Sequence, residues 1–214
     1  AGSTYYHLNR LTKVLTEKNV PELNTQFMQL VAPGLKAKFG ASKLPMELII
    51  KLGSPPTMVM SEKSGMLVTG DVLLEFTVKQ NSSSTEDSSI ATKMARWLGL
   101  VSNDGMAFEL KTTADIEVTF DVTGGQKQIL QGKIKNLNLG NWTVASTNVG
   151  EIFLLDSLLD LVSTIIQNYA VPFANSILSK GMPLPSADNL KLKNTVIAPK
   201  NGYLLVASDF DFSL

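Results

Sequence analysis

The sequence contains no cysteine and a single histidine, and these two shortages exclude much chemistry. Without cysteine there is no disulfide, no thiolate metal site and no cysteine nucleophile. His7 fits the surface of a helix, and no G-x-S-x-G, H-E-x-x-H or G-x-x-x-x-G-K-[ST] motif accompanies it. The residues therefore predict a protein that is not an enzyme, with no catalytic residues, no metal and no cofactor.

An excess of either charge is also missing. The 214 residues include 19 Lys and Arg and 19 Asp and Glu, so the formal net charge is zero. This balance argues against nucleic acid and against purely electrostatic binding to anionic membranes. With 44% hydrophobic and 18% charged residues, the chain can bury a sizeable core, and one domain over residues 1–214 is expected.

Signals for the compartment are few. The opening Ala1-Gly2-Ser3 is compatible with an expression remnant, with the natural chain beginning further upstream, and no signal peptide is recognisable. Asn81 and Asn141 stand in N-x-Ser/Thr motifs, which mark N-glycosylation acceptors of secreted proteins. These motifs favour a secreted glycoprotein, although so short a pattern also arises by chance.

The N-terminal part has helical spacing. Residues 1–20 are expected to form a helical segment, with one apolar face made by Tyr5, Leu8, Leu11, Val14 and Leu15. A second helical stretch over residues 24–40 is predicted to break at Pro33 and Gly34.

From residue 46 the apolar period changes to two, which predicts strands over residues 46–52, 66–79 and 106–122. The last two runs exceed the usual strand length of about five or six residues, so a strongly curved sheet is expected. A hairpin turn at residues 123–126 leads into a further strand, and two strands close the chain. Between the long strands, a polar loop precedes a short helix at residues 90–101, whose Trp97 either packs on the sheet or contacts a partner.

Residues 161–179 carry no charge, yet they do not suit a bilayer. Six polar residues interrupt the run, Pro172 lies within it, and Asp156 and Asp160 precede it. Apolar residues occupy too much of the helix circumference for a surface helix. Because no transmembrane span is expected, the sheet must enclose this helix, which gives an α+β fold with an antiparallel sheet rolled around a long helix.

Local matches at both ends of the chain add a family resemblance. The C-terminal order of an apolar helix, "SKGMPLP" and "NLKLKNTVIAPKNGYLLVASDF" resembles the end of bactericidal/permeability-increasing (BPI) protein, lipopolysaccharide-binding protein and the PLUNC (BPI-fold-containing) proteins. Upstream, "FMQLVAPGLKAKF" and "MELIIKLGSPPTMVMSEKSGMLVTGDVLLEFTV" are similar to the helix, strand, P-P turn and long strand of this family. The resemblance spans most of residues 21–212 and is greatest to the second barrel of a long PLUNC protein.

The resemblance implies one tubular, lipid-binding BPI-like barrel from a secreted mucosal or host-defence protein of innate immunity. It implies an apolar pocket between the helices and the inner sheet face that takes a phospholipid, a fatty acid or another amphiphile. An N-terminal BPI-like barrel of the full-length protein is the implied partner, whereas the zero net charge argues against direct lipopolysaccharide binding. The candidate lipid-binding residues are Leu30, Leu35, Phe39, Leu158, Val162, Ile165, Ile166, Tyr169, Phe173, Val206 and Phe210.

Two alternatives stay open at this point. A barrel whose core is completely filled would be a ligand-free structural or protein-interaction module, and it needs the same apolar faces as a barrel with a pocket. Methionines in or beside the strands suit either an adaptable acyl site or an ordinary core; they are Met46, Met58, Met60, Met66 and Met106.

Overall fold

The computed structural model of the chain describes residues 13–63, 65–79, 105–124, 128–184 and 190–212. His7, Asn81, Trp97 and the short helix predicted at residues 90–101 lie outside the described residues. Within them, no helix is long and apolar enough to cross a membrane.

The described part of the chain is dominated by one curled antiparallel sheet. Its strands follow the order β1-β2-β4-β5-β6-β8, with β3 paired to β4 and β7 paired to β5, and β9 and β10 form a separate hairpin. The strands are β1 (Lys13–Thr16), β2 (Met46–Leu52), β3 (Thr57–Ser61), β4 (Gly65–Val78), β5 (Met106–Thr123), β6 (Ile129–Leu139), β7 (Thr143–Thr147), β8 (Met182–Pro183), β9 (Leu190–Lys200) and β10 (Tyr203–Phe212). The predicted long strands and final hairpin are therefore confirmed.

The N-terminal helical prediction is wrong over its described residues. Residues 13–16 form β1, which pairs with β2 from Lys13↔Ile50 to Thr16↔Glu47. Leu15 is fully buried and Val14 exposed, as strand alternation requires. The spacing of Val14 and Leu15 also fits a helix, but the hydrogen bonds offered by the edge of β2 favour the strand, and this long-range effect is invisible locally.

The helical segments are α1 (Thr25–Met28), α2 (Gly34–Phe39), α3 (Asp156–Ile165), a π-helical turn (Ile166–Ala170) and α4 (Val171–Leu178). The predicted break at Pro33 and Gly34 is confirmed, since α1 and α2 lie on either side of it. The Asn24 side chain caps α1 by accepting a hydrogen bond from the N–H of Phe27 at 3.0 Å.

The charge-free helix is enclosed as predicted over its first part, whereas α4 has no buried residue. Leu158, Val162, Ile165 and Ile166 are buried against the sheet, where the rings of Phe76 and Phe108 stack with their centroids 4.6 Å apart. A π-helical turn separates α3 from α4 just before Pro172, whose ring cannot fit a regular helix interior. The predicted α+β class is confirmed as a half-barrel: a curled sheet around one long helix.

Helix α4 covers the free edge of β6. The register of β5 and β6 shifts between Glu117 and Val118, and near this bulge the N–H of Ile134 donates to Oδ1 of Asn175 at 2.8 Å. Gln131 Nε2 donates to the carbonyl oxygen of Ser179 at 2.5 Å. The helix packs closely because a Cβ at Gly132 would lie only 3.6 Å from Cβ of Leu178. Covering an edge in this way prevents unwanted strand pairing.

The β9–β10 hairpin contacts the turn between β3 and β4 and the residue just before β6. Lys200 Nζ lies 2.9 Å from Oε1 of Glu62, next to the β3–β4 turn, and this carboxylate raises the pKa of Lys200. At the other end of β9, Gln128 donates to the carbonyl oxygen of Leu192 at 3.2 Å and accepts a hydrogen bond from Thr195. The hairpin therefore reaches from the β3–β4 turn to the start of β6.

Candidate functional site

The inner face of the sheet is completely filled at one end. Strand register places Leu74, Phe76, Phe108 and Leu110 side by side, and all four are fully buried. Leu158 and its neighbours on α3 cover them, together with residues of β1, α1 and α2. Among the described residues, this end of the half-barrel is a cluster of packed, buried apolar side chains.

The same face opens toward the other end of the long strands. Val68 lies opposite Ile116 and Met58, and Met60 lies opposite Met66, so their side chains share the face of Leu74. On this face Met58 is exposed and Met60, Met66, Val68 and Ile116 are half-buried, whereas Val118, opposite Met66, is buried. We call this surface the open trough, and it consists of Met58, Met60, Met66, Val68, Phe120 and Val122.

The structure does not bring the predicted lipid-binding residues together in one pocket. Leu35, Leu158, Val162, Ile165 and Ile166 lie in the filled core, and Phe39 and Tyr169 pack at its margin. The hydroxyl of Tyr169 donates to the carbonyl oxygen of Asn19 at 2.7 Å. Phe173 is half-buried in α4, whereas Leu30, Val206 and Phe210 are exposed. A ligand role for these residues stays a prediction.

Of the methionines, three lie in the open trough. Met58, Met60 and Met66 belong to it, whereas Met46 is buried in the filled core and Met106 lies at the start of β5. The sequence signal for these residues was therefore present, but it did not separate an open apolar surface from a packed one.

A cleft of about 660 Å³ lies between α4 and the paired segments 119–121 of β5 and 131–133 of β6. From the sheet it is lined by Thr119, Phe120, Asp121, Gln131, Gly132 and Lys133, and from α4 and the turn after it by Pro172, Asn175, Ser176 and Ser179. Thr119, Asp121, Gln131 and Lys133 alternate with inward-facing residues, so their side chains lie on the outer side of the sheet. The cleft also contains Phe120 of the trough, Gly132 and Pro172, so its lining is both polar and apolar and it adjoins the trough.

The cleft residues have no distinguishing signal in the sequence. Asp121 and Lys133 stand at the polar positions of alternating strands, which look the same as any solvent-exposed strand face. Their proximity to Asn175 depends on how α4 crosses the edge of β6, and no local pattern encodes that crossing.

The other candidate chemistry is limited. Among the described residues, no three His, Cys, Asp or Glu side chains are grouped to hold a metal ion. Asn141 is exposed in the turn between β6 and β7, where an oligosaccharide would meet no steric obstacle from burial, and its glycosylation stays a prediction, as does that of Asn81.

Comparison with known sequences gives one family. A family model described as LBP / BPI / CETP family, C-terminal domain, matches residues 1–212. BPI fold-containing family B member 2 of Mus musculus is 24% identical over 199 residues, which cover 92% of this chain and 37% of that protein. Bactericidal permeability-increasing protein of Sebastes schlegelii is 23% identical over 218 residues, which cover 100% of this chain and 40% of that protein.

Comparison with solved structures gives the same fold. The crystal structure of lipopolysaccharide binding protein matches 97% of this chain and 42% of its own chain, with a TM-score of 0.59 and 14% sequence identity. At this identity the likeness shows the fold alone. The chain spans about two fifths of the length of the relatives it matches.

Proposed function

The chain belongs to the LBP / BPI / CETP family, as a C-terminal domain, and from this premise we propose that it binds the acyl part of a lipid or other amphiphile on the open trough. Membership of this family suggests lipid binding in a host-defence protein. The proposed activity is reversible binding without covalent chemistry. The proposed ligands are a phospholipid, a fatty acid or a similar amphiphile.

The single observation that carries this proposal is the decrease in burial along the inward face of β4. Leu74 and Phe76 are fully buried on β4, whereas Val68 and Met66 of the same strand and face are only half-buried. Covering exposed apolar surface contributes about 2.5 kcal/mol per 100 Å². Methionine side chains are flexible and polarizable, so they adapt to acyl chains of different shapes.

The setting of the domain follows as part of the same proposal. We propose that the protein is secreted and glycosylated at Asn141 and Asn81, and that an N-terminal barrel completes it, since the chain spans only about two fifths of its relatives. With a formal net charge of zero, the domain is not proposed to bind lipopolysaccharide directly.

A second candidate function is a protein-interaction module, and one surface favours it. On the β9–β10 hairpin, Val196, Tyr203 and Leu205 are exposed on one face, because Ala207 pairs with Val196 and Leu205 with Ala198. Such an apolar face can bind a partner with no ligand in the barrel. Lipid-binding measurements separate the two functions.

Two adjacent residues of β3 provide a matched test of the proposed function. Met58 and Val59 are 58% and 59% exposed, but they point to opposite sides of the strand, and only Met58 lies in the trough. Met58→Gln should weaken binding of a fluorescent fatty acid about five-fold or more, whereas Val59→Gln should leave it unchanged. Equal affinities for the two variants would contradict binding on the trough.

A further inference from the structure

The cleft between α4 and the β5–β6 pair presents two charges that have no ion-pair partner among the described residues. Asp121 and Lys133 are both exposed and line the cleft, and in the part of the chain that the structure describes neither forms an ion pair. Asp121 uses Oδ1 to accept from the N–H of Val122 at 2.8 Å, which leaves its second oxygen for a ligand. The cleft therefore offers one cation and one anion.

Two amides in the cleft have orientations fixed by their hydrogen bonds. Asn175 accepts from the N–H of Ile134 through Oδ1, so its NH₂ group is the free end. Gln131 donates through Nε2 to the carbonyl oxygen of Ser179, so its Oε1 is the free end. Asn175 therefore adds a donor and Gln131 an acceptor.

The register of β5 and β6 separates these groups into two halves. Asp121 lies directly opposite Gln131, which places the carboxylate beside the free amide oxygen. Lys133 lies opposite Thr119, two residues further along, and Asn175 bonds to the neighbouring Ile134. An acceptor half and a donor half thus lie about 7 Å apart along the strands.

We propose that this cleft binds a zwitterion that carries a phosphate and a primary ammonium group, as in phosphoethanolamine. Lys133 and the Asn175 amide bind the phosphate, and Asp121 and Gln131 accept N–H hydrogen bonds from the ammonium. A quaternary ammonium has no N–H to donate, so the cleft favours ethanolamine over choline. A volume of about 660 Å³ is typical of small-molecule sites.

This ligand deepens the proposed function, because it is the head group of an amphiphile whose acyl part binds the trough. The two claims can be tested separately, since free phosphoethanolamine has no acyl chain. Calorimetric titration should show phosphoethanolamine binding about ten-fold more tightly than phosphocholine or inorganic phosphate. Binding of phosphocholine with equal affinity, or no binding of phosphoethanolamine at millimolar concentration, would overturn the proposal.

Variants locate the binding. Lys133→Gln and Asp121→Asn should each weaken phosphoethanolamine binding about ten-fold, while Lys135→Gln on the same strand, outside the cleft, should change it less than about two-fold. An equal loss in Lys135→Gln would show non-specific attraction and overturn the assignment, as would wild-type affinity in Asp121→Asn.

Vesicles distinguish a lipid head group from the free zwitterion. Phosphatidylcholine vesicles with and without phosphatidylethanolamine should differ in binding to the wild-type chain, and Lys133→Gln should abolish that difference. If Lys133→Gln binds both kinds of vesicle as the wild type does, the cleft assignment is wrong, whatever the trough binds.

Discussion

At the scale of single residues, an ion-pair cluster on the outer face of the sheet joins Lys51 to Glu75 and Glu109. Glu75 and Glu109 are cross-strand neighbours, and their carboxylates lie 2.8 and 2.9 Å from Nζ of Lys51. Their side chains are only 9% and 15% exposed. Burial alone would lower the pKa of Lys51, but hydrogen bonds and attraction from both carboxylates outweigh it and raise the pKa.

Removing this lysine should destabilise the fold. Lys51→Met leaves two opposed carboxylates with little solvent, which we expect to lower the free energy of unfolding by about 2 kcal/mol after allowance for the partial exposure of Lys51. Lys43→Met is the control, since Lys43 pairs with Glu17 at 2.7 Å in a more exposed setting and should cost less than about 1 kcal/mol. Urea unfolding measures both values, and equal losses would contradict the account.

The same cluster predicts a pH dependence. Because the folded-state pKa of Lys51 is raised, its stabilisation is fully present below the ordinary value of 10.5 and is lost as the pH rises through the folded value. The stability difference between wild type and Lys51→Met should therefore shrink as the pH rises above 10.5. A constant difference would show that packing, and not charge, determines it.

A glycine at the start of α2 makes a second residue-scale prediction. A Cβ at Gly34 would lie 1.7 Å from the backbone oxygen of Val149, whereas a Cβ at Gly132 would have ordinary contacts of 3.5 Å with Val118 and Leu178. Gly34→Ala should therefore cost about 3 kcal/mol and Gly132→Ala less than about 1 kcal/mol. Thermal unfolding of the two variants checks the contrast, and an unchanged Gly34→Ala would mean that α2 does not contact the loop before α3.

At the scale of elements, the position of α4 on the edge of β6 connects the two candidate sites. The helix contributes no fully buried residue and is fastened by the Asn175 and Gln131 hydrogen bonds. It lines the cleft, and Leu178 packs over Gly132 and Val118 on the inner side. Moving α4 would therefore disturb both surfaces.

A disulfide can test this placement directly, because the chain has no cysteine of its own. A Cβ at Gly132 would lie 3.6 Å from Cβ of Leu178, within the range that disulfides require. The double variant Gly132→Cys with Leu178→Cys should oxidise readily, and its oxidised form should be about 3 kcal/mol more stable than its reduced form.

The single variant Leu178→Cys is the control, since it should show no redox-dependent change in thermal unfolding. Failure of the double variant to form the bond under oxidising conditions would contradict the packing of α4 on β6.

Most elements could be predicted because each carries its own periodic signal. The alternation from Met106 to Val122 needs no partner to be recognised, and the charge-free run indicates the enclosure of α3, although not the partial exposure of α4. Strand β1 was mistaken for a helix because its four residues fit both periods and pairing with β2 decides between them. The π-helical turn before Pro172 likewise depends on packing and not on a local pattern.

At the scale of the whole molecule, the half-barrel is filled at one end and open at the other. The apolar pattern on β4 is the same at both ends, since Phe76 and Val68 occupy equivalent inward positions. Only the other elements differ: β1, α1, α2 and α3 cover Phe76, whereas at the trough end the β9–β10 hairpin contacts β3, β4 and β5. The sequence therefore predicted the inner face of the sheet but not the boundary between core and open surface.

Native mass spectrometry of the purified domain, with organic extraction and lipid analysis of the same sample, tests the central claim most directly. The account predicts an added mass that extracts as a fatty acid or a phospholipid, with phosphatidylethanolamine enriched over phosphatidylcholine. A ligand-free mass that persists after incubation with vesicles of both phospholipids would contradict lipid binding and favour the interaction module.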